Sequence, residues 1–202
     1  MSQTILMITG DAGEALEIFY PKHRLEEEGW RVAIERRHLP STLVFTRQNL
    51  PIYDRSALGS AEGARNGAYV LADAEGANPD VILIGTGSEV EIAMQAREKL
   101  QADGVKARVV SMPSWELFEQ QPGSYKDQVL PPAIRARVAV EAGVPQGWHR
   151  WVGDLGEVVA LERFGASAPY LEVYQHLGIT ADHVVERARN SMARATAAGK
   201  GI

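Results

Sequence analysis

The chain has 202 residues, of which 45% are hydrophobic and 23% charged, and its formal net charge at pH 7 is −5. This composition is ordinary for a globular protein and gives no basic surface for nucleic acid. Because there is no cysteine, disulfides, thiolate metal sites and a cysteine nucleophile are excluded. The sequence shows no signal-peptide pattern and no apolar run of membrane-spanning length, so we expect a cytoplasmic protein without membrane or nucleic-acid partners.

The first 66 residues carry irregular signals. Ile5–Ile8 is typical of a buried strand, and Glu14–Glu28 of a helix that a proline interrupts. Further on, Thr42–Phe45 is predicted as a strand. Pro51–Asn66 is rich in small and polar residues without periodicity, which predicts a linker.

A regular alternation of strands and helices follows. Short apolar runs predict five strands, at Ala68–Ala72, Val81–Ile84, Ala107–Met112, Arg137–Glu141 and Gly156–Leu161. Helices are predicted at Glu89–Ala102, Trp115–Gln120 and Ala181–Ala197, and a loop with a turn of helix at Gly123–Pro132. We therefore predict an α/β fold of three αβα layers, with a mostly parallel sheet of about five strands and an N-terminal βα appendage.

The loop Gly85-Thr86-Gly87-Ser88 joins the second of these strands to the first helix. In this geometry, backbone N–H groups at the start of the helix face a bound phosphate. The loop lacks the third glycine of the dinucleotide fingerprint and the lysine of a P-loop. Two interpretations stay open: an anion-binding loop, and a structural turn in which Ser88 caps the helix. The structural turn is favoured.

Charged residues near the ends of predicted strands are the other candidates for a site. Arg47 follows an apolar strand, where its guanidinium either holds a phosphate through two parallel hydrogen bonds or is simply solvated. Acid–base chemistry and structural ion pairing both stay open for the carboxylates at strand ends, and pairing or solvation is favoured. These strand-end residues are Glu141, Glu157, Glu162 and Arg163. The five histidines show no metal-ligand spacing, so we predict no metal site.

Several longer motifs resemble the transketolase family. In chain order they are Ser41-Thr-Leu-Val-Phe-Thr-Arg-Gln-Asn-Leu-Pro51, Gly67-Ala-Tyr-Val-Leu-Ala-Asp73, Asp80-Val-Ile-Leu-Ile-Gly-Thr-Gly-Ser-Glu-Val90, Val110-Ser-Met-Pro-Ser-Trp-Glu-Leu-Phe118, Val138-Ala-Val-Glu-Ala-Gly143, Gly147-Trp148, Arg163-Phe-Gly-Ala-Ser-Ala-Pro169 and Gly178-Ile-Thr-Ala-Asp182. They cover about residues 30–192. The resemblance implies that residues 30–66 are the tail of a transketolase pyrimidine-binding domain with a linker, and that residues 67–197 are the C-terminal domain.

Transketolases move a two-carbon ketol unit between sugar phosphates, in the pentose phosphate pathway, with thiamine diphosphate and Mg2+. The resemblance implies that Arg47 matches the arginine that helps to hold the substrate phosphate. The family's diphosphate-and-metal signature, Gly-Asp-Gly followed at a distance by Asn, is absent from the sequence, as is the segment with the glutamate that activates the cofactor. We therefore expect no cofactor in this chain alone and assign no catalytic residue.

Residues 1–29 are similar to a different family, the intracellular-protease branch of the glutamine-amidotransferase-like superfamily. The matching stretches are Ile5-Leu-Met-Ile8, Leu16-Glu-Ile-Phe-Tyr-Pro21 and His23-Arg-Leu-Glu-Glu-Glu-Gly29. Glu17 falls where that family keeps a glutamate beside its nucleophilic cysteine, which this chain lacks. We interpret residues 1–29 as a βα fragment joined to the transketolase-like part by gene fusion.

Three functions stay open on these grounds. The first is a transketolase-like C-terminal section that is not catalytic alone and acts with a separate thiamine-binding polypeptide or as a dimer with itself. The second is a module for binding a small ligand or for assembly. The third is a non-functional remnant of a gene fusion.

Overall fold

A computed structural model of the chain describes residues 44, 46, 48–76 and 78–199. Its strands are β1 Tyr69–Ala72, β2 Val81–Gly85, β3 Ala107–Ser111, β4 Arg137–Val140 and β5 Glu157–Val159. They form one sheet in the order β1-β3-β2-β4-β5. Strands β2 to β5 are parallel to one another, and β1 pairs antiparallel with β3 at the edge. The prediction of a mostly parallel sheet of five strands is confirmed.

Six α-helices connect and cover the described strands. They are α1 Glu89–Ala102, α2 Trp115–Glu119, α3 Gly123–Val129, α4 His149–Val152, α5 Tyr170–Leu177 and α6 Ala181–Gly199. A 3₁₀ helix at Ala61–Asn66 precedes β1. None of these helices is long and apolar enough to cross a membrane.

The sheet separates two apolar clusters. Successive side chains of a strand point to opposite faces, so Leu83 of β2 lies in one cluster and Ile82 and Ile84 in the other. Helices α1 and α6 cover the first face. The short helices α2 to α4 cover the second face, where Phe118 and Trp148 are almost completely buried. The result is the three-layer αβα arrangement expected from the sequence.

The structure departs from the sequence predictions in three places. The segment Pro51–Asn66 is more than a linker, because Ser60 accepts a hydrogen bond from the backbone of Glu62 and starts a 3₁₀ helix. The stretch predicted as a loop with a turn of helix at Gly123–Pro132 contains the longer helix α3, Gly123–Val129. Helix α5 was not predicted at all. The N-terminal βα appendage and the strand at Thr42–Phe45, apart from Val44, lie outside the described residues.

Candidate functional site

The carboxyl edge of the sheet contains a switch point, where the helices that follow two neighbouring strands lie on opposite faces. Neighbouring strands β2 and β4 lead into helices on opposite faces of the sheet, β2 into α1 and β4 into α4. In open α/β sheets, ligands bind outside the carboxyl ends of strands at such a switch point. The two loops that meet here are Gly85–Ser88, after β2, and Glu141–Gly143, after β4. The topology therefore makes this switch point the first candidate for a site.

Glu89, in the first turn of α1, is the innermost polar group of this edge. Only 5% of its surface is exposed. Its Oε1 atom accepts a hydrogen bond of 2.6 Å from the Ser88 hydroxyl. Ser88 stands at the N-cap position of α1 as predicted, but it has helical backbone angles and its side chain makes no capping hydrogen bond. Its hydroxyl instead donates to the nearby Glu89 carboxylate.

Tyr174 of α5 reaches the same carboxylate from the other side. Its hydroxyl donates a hydrogen bond of 2.7 Å to Glu89 Oε1. Burial raises the pKa of its phenol to about 12. Tyr174 is therefore an uncharged donor and acceptor at neutral pH. We call Ser88, Glu89, Glu141 and Tyr174 the carboxyl-edge cluster.

Glu141, directly after β4, adds a second carboxylate to the cluster. Burial raises the pKa of Glu141, and the negative charge of Glu89 raises it further. A hydrogen bond from the indole of Trp148, which is 1% exposed, acts in the opposite direction. The two carboxylates thus give the carboxyl edge of the sheet a negative potential.

The two carboxylates affect which ligands the Gly85–Ser88 loop can bind. The loop does follow β2 and open α1 as predicted, but Glu89 and Glu141 lie beside it and the Ser88 hydroxyl is already engaged. Such surroundings oppose a phosphate group. Binding of an anion at Gly85–Ser88 stays a prediction, and the negative charge of Glu89 and Glu141 disfavours it. Among the described residues, no three carboxylates or histidines come together as metal ligands.

The other charged candidates lie in different settings. Arg47 is outside the described residues. Glu157 of β5 forms ion pairs with Arg187 (3.1 Å) and Arg194 (2.5 Å) of α6, which is the structural alternative favoured above. Glu162 and Arg163 line a surface pocket of about 270 Å3 beside α5. Of the site residues predicted from the sequence, the switch point brings together the Gly85–Ser88 loop and Glu141.

The sequence reasoning missed Glu89 and Tyr174 as members of one cluster. A signal for Tyr174 was present, because Tyr170, Val173, Tyr174 and Leu177 have helical spacing between Pro169 and Gly178. No local pattern links Tyr174 to Glu89, because the two are 85 positions apart in the sequence. Only the folded chain brings them into contact.

The sequence matches known proteins over most of its length. The family model described as the transketolase-like TK C-terminal domain matches residues 67–180. A transketolase of Geobacillus stearothermophilus is 46% identical over 160 residues, which are 79% of this chain and 24% of the relative. Transketolase 1 of Pasteurella multocida is 46% identical over 176 residues, 86% of this chain and 26% of the relative. The chain thus spans about a quarter of the length of these curated relatives.

Comparison with solved structures also finds transketolases. A transketolase from Leishmania mexicana superposes with a TM-score of 0.74 at 37% identity, over 82% of this chain and 23% of that one. A protein described as a split gene transketolase, inactive beta4 tetramer, superposes with a TM-score of 0.50 at 19% identity, over 62% of this chain and 42% of that one. The second likeness is one of fold alone.

Proposed function

Because this chain belongs to the transketolase family, we propose that it acts as the C-terminal section of a transketolase-type enzyme and is not catalytic alone. The observation that carries this proposal is the match of the C-terminal domain to residues 67–180, in a chain that spans about a quarter of its relatives. The proposed reaction is ketol transfer between sugar phosphates in the cytoplasm, as part of the pentose phosphate pathway. Thiamine diphosphate and Mg2+ supply its carbanion chemistry.

The thiamine-binding domains, in this proposal, come from a separate polypeptide, and the assembly is completed by a second copy of each chain. The coverage of about a quarter of each relative supports a need for further domains. The neighbour described as a split gene transketolase is by its name a divided enzyme. Its likeness to this chain concerns the fold.

We further propose a division of the chain into three parts. Residues 1–29 are an amidotransferase-like βα fragment acquired by gene fusion, residues 30–66 are the tail of a pyrimidine-binding domain with a linker, and residues 67–197 are the C-terminal domain. The family match at residues 67–180 supports the third part. In this division Arg47, within the second part, holds the phosphate of the substrate through paired hydrogen bonds.

The first experiment uses the purified chain alone. We expect calorimetry with thiamine diphosphate and Mg2+ to show no saturable binding, and xylulose 5-phosphate with ribose 5-phosphate to give no turnover. Saturable cofactor binding or turnover by this chain alone would contradict the proposal.

The second experiment supplies the missing domains. The Geobacillus transketolase, shortened by the whole region that matches residues 30–197 of this chain, is mixed with this chain, and we expect ketol transfer to appear only in the mixture. In that mixture Arg47→Ala should raise the KM of phosphorylated substrates by about 10- to 100-fold, the effect of losing charge-assisted hydrogen bonds. Arg189→Ala, on the exposed side of α6, is the matched control and should change nothing. A mixture without turnover overturns the proposed function.

A further inference from the structure

We propose that residues 162–177 form a hinged flap over the carboxyl edge of the sheet, which the hydrogen bond from Tyr174 to Glu89 holds closed. The flap consists of an exposed loop, residues 162–169, and helix α5. When the flap is open, the Glu89 carboxylate is accessible to solvent and to ligands at the switch point. The flap is a property of this chain alone and does not rest on the proposed function.

The flap contributes little to the core of the domain. Every residue from 162 to 172 is exposed, and Phe164 reaches 95% exposure. None of the residues of α5 is buried. Tyr174 and Leu177 of this helix pack, partly buried, against the apolar cluster that α1 and α6 cover. Segments with so few buried apolar contacts are those that open locally while the rest of a protein stays folded.

Both ends of the flap are fixed to the domain. On the N-terminal side, the backbone N–H of Leu161 donates to the carbonyl of Gly143, at 2.8 Å. On the C-terminal side, the carbonyl of Gly178 accepts a hydrogen bond of 2.8 Å from His183 Nδ1, and Ile179 is only 2% exposed. Gly178 ends α5 in the left-handed conformation, with a φ of +74°. The two fixed ends are therefore the places about which the flap turns.

The contact between the flap and α1 is made by polar groups that can separate. The Tyr174 hydroxyl donates to Glu89 Oε1 at 2.7 Å. The Ser88 hydroxyl donates to the same oxygen atom at 2.6 Å. If Tyr174 moves away, Glu89 keeps this second donor and water solvates the phenol, so neither polar group is left without a partner. The bond therefore breaks and re-forms without unfolding of the domain.

The surface pocket beside α5 separates the two ends of the flap. It is lined by Ala160, Leu161, Glu162 and Arg163 at the first end, and by His176 and Leu177 at the second. Close-packed interiors resist small displacements, whereas a segment beside an open space moves without repacking its neighbours. The pocket thus gives the flap room to move.

Hydrogen exchange of the whole chain, measured by NMR at several low urea concentrations, tests for the flap. In the unchanged chain, the amides of α5 should exchange through an opening that is nearly independent of urea, because the flap exposes little new surface. The amides of β2 and β4 should exchange more slowly, through an opening that urea favours. Equal rates with equal urea dependence in α5 and in these strands would overturn the proposal.

The variant Tyr174→Phe removes the hydroxyl and keeps the ring. We expect exchange in α5 to become about 10- to 100-fold faster, the effect of losing a hydrogen bond to a charged group. Tyr170→Phe is the matched control, because Tyr170 lies on the same helix with its ring centroid 5.9 Å from that of Tyr174, and it should leave exchange in α5 unchanged. If Tyr174→Phe has no effect, or if both variants have the same effect, the hydroxyl does not hold the flap and the proposal fails.

The variant Glu89→Gln examines the same bond from the other side. Its amide oxygen still accepts from Tyr174 but carries no charge, so exchange in α5 should accelerate less than in Tyr174→Phe. The double variant should exchange no faster than Tyr174→Phe alone, because both changes act on one interaction. Additive accelerations would contradict the proposal.

Carboxyl labelling measures whether the opening uncovers Glu89. A carbodiimide with an added amine converts accessible carboxylates to amides, which mass spectrometry locates. Glu89 should be labelled about 10-fold or more faster in Tyr174→Phe than in Tyr170→Phe, in proportion to the more frequent opening. The exposed Glu186 should be labelled equally in both variants. Equal labelling of Glu89 in the two variants would overturn the proposal.

The outcome is independent of the proposed enzyme activity. None of these measurements needs a cofactor or a second polypeptide. A mixture without turnover therefore removes the proposed function and leaves the flap intact, whereas unchanged exchange in Tyr174→Phe removes the flap and leaves the proposed function intact.

Discussion

Arg137, at the start of β4, organises the edge of the sheet opposite the carboxyl-edge cluster. Its guanidinium donates to the backbone carbonyls of Ile134, Trp151, Leu130 and Pro131, at 2.9 to 3.1 Å. Burial lowers the pKa of Arg137, yet guanidinium groups remain charged at any ordinary pH. A single planar group thereby satisfies carbonyls of the connection that precedes β4 and of helix α4, which follows it.

The substitution Arg137→Lys should destabilise the protein by about 2–4 kcal/mol, because an ammonium group does not reproduce the planar fork and leaves buried carbonyls without donors. The measurement is urea unfolding followed by circular dichroism. Arg135→Lys is the control, since Arg135 is half-exposed and its ion pair with Asp154 lies in solvent. Equal losses in the two variants would contradict this role of Arg137.

The Glu141 carboxylate makes stability depend on pH. Its pKa in the folded protein is raised above the usual value of 4.5, mainly by burial. Above the folded pKa the native state carries a buried charge, and as the pH falls through that pKa the native state takes up a proton before the unfolded chain does. The destabilising effect of Glu141 is therefore present at neutral pH and disappears toward pH 4.5.

Glu141→Gln should consequently raise Tm at pH 7, and its advantage over the unchanged chain should shrink as the pH is lowered toward 4.5. The Gln oxygen still accepts from Trp148, so packing is preserved. Thermal unfolding from pH 4.5 to 8 measures the difference, with the exposed Glu186→Gln as control. A difference in Tm that stays constant over this range would refute the assignment.

Residue roles were harder to predict from the sequence than residue environments. The apolar stripe Ile92, Ala93, Ala96 and Leu100 of α1 is buried as predicted, because a helix repeats its faces locally. The bonds of Tyr174 to Glu89 and of Arg137 to its carbonyls join residues that no sequence period relates. Their partners depend on tertiary packing, which a single sequence does not display.

At the scale of elements, strong local signals gave correct boundaries. Helix α1 spans Glu89–Ala102 as predicted, and Gly104, with a φ of +79°, lies just past its end. Helix α5 was missed although its apolar side chains have helical spacing; it is only eight residues long and none of its residues is fully buried. Strand β5 is shorter than predicted at Glu157–Val159, since only three residues pair with β4.

Gly67 joins the 3₁₀ helix to β1 where no side chain fits. Its φ is +81°, and a Cβ atom there would lie 2.2 Å from the Phe118 backbone nitrogen and 2.3 Å from the Ser114 carbonyl oxygen. Because both of those atoms belong to the backbone around α2, neither can move aside without disturbing that helix. Left-handed backbone geometry adds to the strain of any side chain.

Gly67→Ala should therefore destabilise the protein by roughly 2–4 kcal/mol and lower Tm by about 5–15 °C. Gly165→Ala is the matched control, because nothing lies within 4 Å of its Cβ position. Calorimetry compares the two. A loss of less than about 1 kcal/mol at Gly67 would show that α2 shifts freely, contrary to the packing described above.

At the scale of the whole molecule, the strands and the buried core of the described part come from one continuous stretch of the sequence. All five strands lie between Tyr69 and Val159, and both apolar clusters draw their fully buried members from residues after Gly67. The two faces of the sheet are covered by helices that follow β2 in the sequence. On this basis we expect the α/β domain to fold without residues 1–29.

Deletion of residues 1–29 should for this reason leave Tm within about 3 °C of the full chain and preserve the far-ultraviolet circular dichroism of the α/β domain. A single βα unit cannot cover both faces of its own strand, so it adds little stability unless it joins an existing sheet edge. The matched control is deletion of residues 181–199. That removes α6, which packs on α1, β4 and β5, and should abolish cooperative unfolding. A large loss of Tm in the first deletion would show instead that residues 1–29 are integrated with the sheet.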